Sequence, residues 1–402
     1  MMPSYDVLVI GGGISGASFA FHAARSGRKV LVVEREANAG GCLCSARSPQ
    51  GFWYELGAHT CYNSYQALLE ILEDCDLLGE LQARGKPVLR FLDGDDPVAG
   101  TNLPLMLKLF RKSELLRAMP RWFGASQDGQ TVQSYYSRLV GPQNYARVLG
   151  PMLSAVPSQT ADRFPANMLF KKRERRKDVM RSFTLPGGLQ TAVEATLARP
   201  GIEVVTGRMA IELDRSNGRF GVKLDDGSRI ESDHLALAVS PGAAATLLGG
   251  LVPDLAARVA TIEEVRVDSL GFALPKDLSS VPLATFLIPL RDEFHSVVTR
   301  DVVPDPEWRG FTFHFRPGST REERIRRAAQ VLRIGPEEMQ EAVERSWLLP
   351  SPVLGHAELI GEIDRLLAGG KLAVTGNWFD GLSIEDCVTR SRAEWGRVAG
   401  HG

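Results

Sequence analysis

A glycine-rich turn between an apolar strand pattern and a helix pattern restricts the fold of this chain more than any other feature. Residues 6–10 are mostly apolar and lead into Gly11-x-Gly13-x-x-Gly16, and residues 17–26 have the composition of a helix. In a βαβ unit the first glycine allows the tight turn, the second lets backbone approach a pyrophosphate, and the third lets helix and strand pack closely. The unpaired N–H groups at the start of the helix would bind the anion. The predicted dinucleotide contacts in this turn are Gly11, Gly13, Ile14, Ser15 and Gly16.

An acidic residue further along the chain supports the same interpretation. Residues 31–34 form a second apolar strand pattern that ends at Glu34. Its carboxylate would accept hydrogen bonds from ribose hydroxyls and would repel a 2′-phosphate. We include the adjoining Arg35 among the predicted contacts. The alternative is a glycine turn with a purely structural role.

A second glycine segment near the end of the chain distinguishes between dinucleotides. An apolar strand pattern from residue 372 runs into Gly376 and then into a helix pattern that begins near Ser383. The N-terminus of that helix is a second place where positive partial charge can meet an electron-rich group. A nicotinamide enzyme has no need for such a distant contact, so this segment favours FAD. The predicted contacts here are Gly376, Asn377, Leu382, Ser383 and Ile384.

These segments together resemble a known family. In order along the chain, they are similar to the FAD motifs of the FAD-dependent amine oxidase superfamily, and within it to the protoporphyrinogen oxidase-like branch. The matching stretches are residues 11–16, Gly40 with Gly41, residues 56–59 and residues 376–388, with further similarity at 182–191 and 347–356. The resemblance implies FAD as the cofactor. It adds Gly41, Cys42, Arg47, Gly57, Ala58, His59 and the backbone of Val205 to the predicted contacts.

The resemblance also implies an architecture. We expect an α/β fold in which a Rossmann-type FAD-binding domain, with a parallel sheet and a β-meander, is interleaved with an α+β substrate domain. The FAD-binding domain would comprise residues 1–85, 181–260 and 356–402, and the substrate domain residues 86–180, mainly helical, and 261–355, mainly strands. Apolar periodicity and turn residues predict helices at 65–81, 102–123, 131–156 and 321–331, and strands at 87–92, 207–212, 220–224, 229–231 and 234–239.

Composition limits the partners and the location of the protein. The net charge of −1 argues against nucleic acid as a partner, and no run of 18 apolar residues is present. Because the first ten residues belong to the first strand pattern, we expect no signal peptide and a cytoplasmic protein. The five cysteines suggest reduced thiols and no metal site. For Cys42 and Cys44 we expect packing, with a redox or covalent flavin role as the alternative. The oligomeric state stays open.

Two surface segments have more than one interpretation. The basic run, residues 171–177, is expected to be a solvated helix face, and the alternative is a docking surface for anionic lipid or substrate. Residues 103–123 combine apolar residues, basic residues and Trp122. They are expected to form a pocket wall or core, and the alternative is peripheral contact with a membrane interface.

The expected chemistry moves a hydride equivalent from a substrate C–H to flavin N5. His59 is the first catalytic candidate because the resemblance places it beside the flavin; a histidine that only bonds backbone is the alternative. His356 and Trp378 are further candidates, each with a structural alternative, and Glu55 is expected to support the fold.

We therefore predict an FAD-dependent oxidase or dehydrogenase. Its small-molecule substrate would be an amine-bearing or conjugated cyclic apolar compound, and the enzyme would be protoporphyrinogen oxidase-like or a secondary-metabolite oxidase. The alternatives are a redox-neutral isomerase or mutase, which would need reduced flavin, a polyene desaturase, and a flavin-binding protein without activity.

Overall fold

The computed structural model describes residues 4–99 and 107–400, which build two seven-stranded sheets. The first sheet has a parallel part in which Ile10 pairs with Val33 on one side and with Leu237 on the other. Two antiparallel strands extend it as a meander. Its strands, in spatial order, are Ile202–Val205, Val30–Val33, Ser4–Ile10, Arg229–Leu237, Arg219–Leu224 and Ala210–Ser216, and Leu372–Val374 also pairs with Arg229–Leu237.

Alternating side chains of the first sheet enter two apolar clusters, one on each face. Val7 and Val9 belong to the cluster that contains helices Ile14–Arg25 and Ile384–Ala399, whose Phe19 and Trp395 rings lie 5.6 Å apart. The other face carries Leu8 and Ile10 and is covered by further helices. These are Pro241–Leu248, Pro253–Val259 and His356–Leu367. Because both faces are covered, the central residues of these strands, Val7–Ile10, Val30–Val33 and Leu235–Leu237, are all apolar.

The second sheet is mostly antiparallel. One face carries phenylalanines such as Phe272 and Phe313, which pack against helix Arg321–Leu332. The opposite face meets residues 54–56, since Thr312 Oγ1 donates a hydrogen bond of 2.6 Å to the Glu55 carbonyl oxygen. Its strands, in spatial order, are Val343–Pro350, Glu264–Pro275, Trp308–Phe315, Phe294–Thr299, Phe286–Pro289, Leu89–Asp93 and Asp96–Ala99.

Shorter elements connect the two sheets. Two small sheets pair Ser45–Arg47 with Trp53–Glu55, and Ser182–Thr184 with both Cys61–Tyr62 and Gln82–Ala83. The remaining α-helices are Gln66–Asp74, Lys112–Ala118, Val132–Val140, Pro142–Asn144, Gly150–Ala155 and Gln190–Leu197. Tyr145–Leu149 is a π-helix, and 3-10 turns lie at Leu78–Glu80, Met119–Trp122 and Pro336–Met339. Among the described residues, no helix has the length and apolar character that a membrane span needs.

The α/β fold class and the parallel sheet with a meander are confirmed. The helix predicted at 321–331 is also confirmed, whereas the one at 131–156 is interrupted at Gly141, where φ is 91°. Residues 102–106 of the helix predicted at 102–123 lie outside the described residues. The domain limits remain a prediction.

Three predictions from local sequence patterns are wrong. The strands predicted at 229–231 and 234–239 form one strand, Arg229–Leu237, because the polar Ser232 and His234 are buried within it. The strand predicted at 207–212 is Ala210–Ser216 and continues into the turn at Asn217. The basic run is not helical, because backbone hydrogen bonds to Asn63 and ion pairs hold it extended.

Candidate functional site

The turn at residues 11–16 has the backbone that its glycines predict. Gly11 has a φ of +106°, and a Cβ there would overlap the Ala238 carbonyl oxygen. A Cβ on Gly16 would overlap the Gly11 carbonyl oxygen, so the helix lies directly against the strand. At Gly13 a Cβ would meet nothing closer than 3.6 Å. Space is therefore left beside Gly13, where the helix Ile14–Arg25 begins without a side-chain cap.

A second stretch of backbone lies against this turn. Gly40 and Gly13 form an isolated bridge, and a Cβ on Gly41 would lie 3.0 Å from the Gly13 Cα. The Cys42 carbonyl oxygen in turn accepts a hydrogen bond of 2.8 Å from the Ala58 N–H. Gly57 is required beside it, because a Cβ there would overlap the same oxygen. The structure thus brings the predicted contacts at 11–16, 40–42 and 57–58 together.

Glu34 is held at the mouth of the turn. Its side chain is buried, with Oε2 accepting from the Gly12 N–H at 2.6 Å and Oε1 from the Glu36 N–H at 2.9 Å. The Val205 carbonyl oxygen accepts from the Glu34 N–H, so Val205 is its neighbour. A fixed carboxylate with remaining acceptor capacity fits a ribose. The Arg35 side chain instead pairs with Glu36 at 3.3 Å and is largely exposed, which removes it from the turn.

The terminal segment, residues 376–384, joins this site through the two helices. Ser391 Oγ, on the last helix, donates a hydrogen bond of 2.9 Å to the Ser15 carbonyl oxygen, at the start of the first helix. The same hydroxyl is 2.8 Å from Thr375 Oγ1, immediately before Gly376. Gly376 cannot carry a Cβ, which would lie 2.5 Å from the indole nitrogen of Trp378. Segments more than 350 residues apart in sequence therefore meet at one place.

The first turn of the terminal helix Ile384–Ala399 carries acidic residues, and the charge of one of them, Asp386, is balanced by basic side chains. Ser383 and Asp386 form a capping box. Asp386 also pairs with Lys171 at 3.0 Å and with Arg173 at 2.7 Å. Although burial opposes it, the hydrogen bond from Ser383 and the Lys171 ammonium lower the pKa of Asp386. Sequence reasoning missed this role of the basic run, because nothing local to either segment specifies the pairing.

His59 lies in a narrow pocket, the His59 pocket, formed with Arg84, Val298, Thr299 and other residues of the second sheet. Its Nδ1 is 3.3 Å from the Gly57 carbonyl oxygen, and its ring meets the Phe286 ring edge-on at 5.3 Å. Burial, and then the nearby Arg84, lower the pKa of His59 to about 3, so the imidazole is neutral at physiological pH. A neutral ring that donates from Nδ1 leaves Nε2 as an acceptor.

Arg84 is a site residue that the sequence did not indicate. Its guanidinium contacts both the His59 carbonyl oxygen and Thr60 Oγ1. It therefore fixes the backbone next to the predicted flavin neighbour. A single arginine after a short strand carries no signal that would have identified it.

His356 and Trp378 both contact backbone around the terminal segment, and their catalytic roles stay a prediction. His356 Nε2 lies 2.9 Å from the Trp378 carbonyl oxygen and 3.0 Å from that of Phe379, so it donates to backbone. Trp378 is fully buried, stacks on Phe379, and donates from its indole nitrogen to the Val239 carbonyl oxygen at 3.0 Å. Both side chains support the backbone of the terminal segment.

The remaining predicted residues divide between packing and the surface. Burial raises the pKa of Cys42 to about 11 and also raises that of Cys44, so both are protonated thiols that pack near Leu56. Arg47 is exposed, beside Gly187. Leu382 packs in an apolar cluster with Tyr145. Tyr145 belongs to the run of helices at residues 132–155, the helical segment. Among the described residues, no cluster of three or more histidines, cysteines or acids could hold a metal ion.

Comparison with known proteins identifies the family. Residues 14–270, more than half of the 402-residue chain, match the model of flavin containing amine oxidoreductases. The chain belongs to this family. Its cofactor is FAD, as the two glycine segments predict, and the space beside Gly13 with the fixed Glu34 carboxylate fits that nucleotide.

Solved structures share the whole fold at low sequence identity. A putative protoporphyrinogen oxidase from Exiguobacterium sp. 255-15 is similar over 100% of both chains, with a TM-score of 0.80 and 17% identity. Reduced UDP-galactopyranose mutase is similar over 99% of this chain and 96% of its own, with a TM-score of 0.72 and 14% identity. At these identities the likeness establishes the fold alone.

Similarity to curated proteins is confined to a short stretch. All-trans-retinol 13,14-reductase from Danio rerio is 44% identical over 54 residues, which are 13% of this chain and 9% of the relative. The chain therefore matches less than a tenth of that relative's length.

Proposed function

We propose that this protein is an FAD-dependent oxidase or dehydrogenase that oxidises an amine-bearing or conjugated cyclic apolar small molecule. The observation that carries the proposal is the hydrogen bond between Ser391 and Ser15, which joins the terminal segment to the turn at residues 11–16. When bound, FAD supplies the hydride-accepting chemistry typical of flavoenzymes. The protoporphyrinogen oxidase-like branch or a secondary-metabolite oxidase is the finer proposal, supported by the whole-length fold similarity.

The residues of this chain would bind the cofactor, orient the substrate and exclude water from the site. The N–H groups at the start of helix Ile14–Arg25 would hold the diphosphate of FAD, and the Glu34 carboxylate would accept hydrogen bonds from its ribose. His59, as a neutral imidazole, and the Phe286 ring that it meets edge-on would together form one wall of the substrate site. His59 Nε2 accepts a hydrogen bond from the substrate and orients it. No strongly basic side chain is needed when the substrate nitrogen itself loses the proton.

A redox-neutral isomerase or mutase is the second candidate. One observation favours it specifically: the fold is shared with a mutase whose structure is that of the reduced protein. Such a reaction would need the same cleft and the same neutral His59, but no electron acceptor.

A bleaching experiment tests the proposal and separates the two candidates. The FAD-loaded protein is mixed anaerobically with porphyrinogens, polyamines, amino acids and polyenes, and the flavin absorbance is followed. Bleaching by one class, with peroxide formed on admitting air, is expected for an oxidase. Activity that appears only after dithionite reduction would support the isomerase. A colourless protein that takes up NAD and refuses FAD would contradict both.

We also propose that the protein contacts anionic membrane surfaces through residues 107–123, the apolar-basic segment. Its large apolar side chains are between 42% and 88% exposed, which is unusual for one short stretch: Leu107, Leu116, Met119, Trp122 and Phe123. Exposed cations are interspersed with them along the same stretch, namely Lys108, Arg111, Lys112, Arg117 and Arg121. The only acid, Glu114, accepts from backbone N–H groups. A stretch in which exposed apolar side chains alternate with exposed cations is suited to an anionic lipid interface.

Vesicle sedimentation tests this contact. The protein is expected to sediment with vesicles that contain phosphatidylserine and to remain in solution with phosphatidylcholine alone. The double variant Trp122→Ser with Phe123→Ser should abolish sedimentation. Leu348→Ser, which removes a side chain that is 59% exposed on the second sheet, is the matched control and should leave it unchanged. Equal sedimentation of all three proteins would contradict the contact.

A further inference from the structure

A cavity of about 370 Å³ lies between the helical segment and the second sheet. Its helical wall includes Tyr145 and Ser154, and its sheet wall includes Phe294, His295 and Arg316. The volume falls within the roughly 300–1,000 Å³ typical of small-molecule sites. The π-helix Tyr145–Leu149 borders it, and such helices are frequent at functional sites.

A buried imidazole in this wall has an unused polar atom. His295 is only 5% exposed, and its Nδ1 has no hydrogen-bond partner among the described residues. Buried polar atoms are almost always paired, so an unpaired one indicates a ligand or an ordered water.

The charges around the cavity favour an anion. Arg316 makes no ion pair within the described part of the chain, and it donates only to the Asp292 carbonyl oxygen at 3.3 Å and to Thr160 Oγ1 at 3.4 Å. The Asp292 carboxylate pairs with Arg327 at 2.5 Å. Asp162 is the other acid, and one of its oxygens accepts from the Tyr145 hydroxyl at 2.6 Å. Arg291, at the exposed rim, adds a second cation.

One strand contributes residues to both the cavity and the His59 pocket. His295 stands near the start of Phe294–Thr299, whereas Val298 and Thr299, at its end, line the His59 pocket. Four residues of extended chain separate the two places by about 13 Å. Tyr145 also packs in the same apolar cluster as Leu382 of the terminal segment, so the cavity adjoins the cofactor side of the molecule.

We propose that this cavity binds the carboxylate end of an elongated apolar small molecule. Arg316 pairs with the carboxylate and His295 donates a hydrogen bond from Nδ1. Leu290 and Phe294 pack against the apolar body of the molecule. This anion site stands on its own contacts and does not depend on the proposed function.

Binding of length-matched probes to the FAD-loaded protein tests the inference. Calorimetric titration with octanoate, octanol and octylamine should give the lowest Kd for octanoate. Arg316→Gln should raise the octanoate Kd roughly 10-fold or more, because a charge-assisted hydrogen bond is lost, and should leave the octanol Kd unchanged. Arg175→Gln, which removes an exposed cation elsewhere, is the control and should change neither. If Arg316→Gln does not fold, Arg291→Gln at the rim should raise the octanoate Kd in the same direction.

The outcomes separate this inference from the proposed function. Equal affinity for octanoate and octanol, or an octanoate Kd that none of the cavity variants changes, would overturn the anion site even if substrates bleach the flavin. Octanoate binding that depends on Arg316, in a protein whose flavin no substrate bleaches, would keep the site and contradict the oxidoreductase.

Discussion

Two glycines of the same turn, Gly13 and Gly16, have different surroundings in the folded protein. The position of a Cβ on Gly16 is already filled by backbone in the absence of any ligand, whereas the space beside Gly13 is open. Gly16 is therefore required by the fold, and we propose that Gly13 is required by the cofactor. The sequence motif predicts that both are glycine, but only the structure separates their roles.

Substitution by alanine should resolve this difference. Gly13→Ala should fold with unchanged stability and bind FAD at least about 10-fold more weakly, because the methyl group occupies the diphosphate's approach. Gly16→Ala should lower the free energy of unfolding by about 1–3 kcal/mol even without FAD. Chemical denaturation and flavin-fluorescence titration measure the two effects.

A glycine in an open position is the control for these variants. Gly396, within the terminal helix, has nothing within 4 Å of its Cβ position. Gly396→Ala should stabilise the protein by up to about 1 kcal/mol, as expected for a helix interior. Equal losses of FAD affinity in all three variants would show that the turn is not the cofactor site.

Glu55 gives the stability of the protein a pH dependence. Burial raises its pKa to about 7, even though Ser45 Oγ and the Leu189 N–H each donate to it at 2.7 Å. Between about pH 4.5 and 7 the folded chain keeps a proton that the unfolded chain has released, so stability falls as pH rises. Above about pH 7 Glu55 is ionised in both the folded and the unfolded chain, so its destabilising contribution no longer changes with pH.

Glu55→Gln should remove this pH dependence. The amide keeps the size of the side chain and cannot ionise, so the variant should lack a fall on the order of 3 kcal/mol between pH 5 and 8 that the wild type shows. Urea unfolding at both pH values measures it. The exposed Glu80→Gln is the control and should retain the wild-type slope. A wild-type slope in Glu55→Gln would show that Glu55 is not the titrating group.

Elements defined by local residues were predictable from the sequence. The turn at residues 11–16 and the helix Arg321–Leu332 carry their signals within a few residues. The basic run does not, because its extended path depends on Asp386, more than 200 residues away. The partners of His356 were not predictable for the same reason, since they are carbonyl groups that only the folded chain brings near.

The start of the terminal helix offers a test at the level of an element. Asp386→Ala removes the capping box and both ion pairs to the basic run. It should lower stability by about 1–2 kcal/mol and weaken FAD binding several-fold, because residues 376–384 lose their anchor. Thermal unfolding and flavin titration measure the two effects.

A capping box far from the cofactor is the matched control. Glu323 closes the box of helix Arg321–Leu332, which packs on the second sheet. Glu323→Ala should cost a similar part of the helix-capping energy, roughly 1 kcal/mol, and leave the FAD Kd unchanged. A similar change in the FAD Kd in both variants would mean that the effect is global destabilisation.

At the scale of the molecule, the order of strands in the first sheet could only be expected from the resemblance. Leu372–Val374 joins the sheet beside Arg229–Leu237 after more than 100 intervening residues have built the second sheet. Periodicity identifies such strands but not their partners, because pairing depends on which apolar faces pack together. The motifs predict where the cofactor binds, and that location stays a prediction, whereas the cavity lined by His295 and Arg316 had no sequence signature.

Because the site is assembled from both ends of the chain, cofactor binding should stabilise the whole molecule. At an FAD concentration 100 times the Kd, the free energy of unfolding should rise by about 2.7 kcal/mol. Hydrogen exchange should slow at residues 11–16 and equally at residues 376–384, and Gly13→Ala should lose both effects together. Protection confined to residues 11–16 would mean that the terminal segment does not face the cofactor, and that the contact between Ser391 and Ser15 only joins two helices.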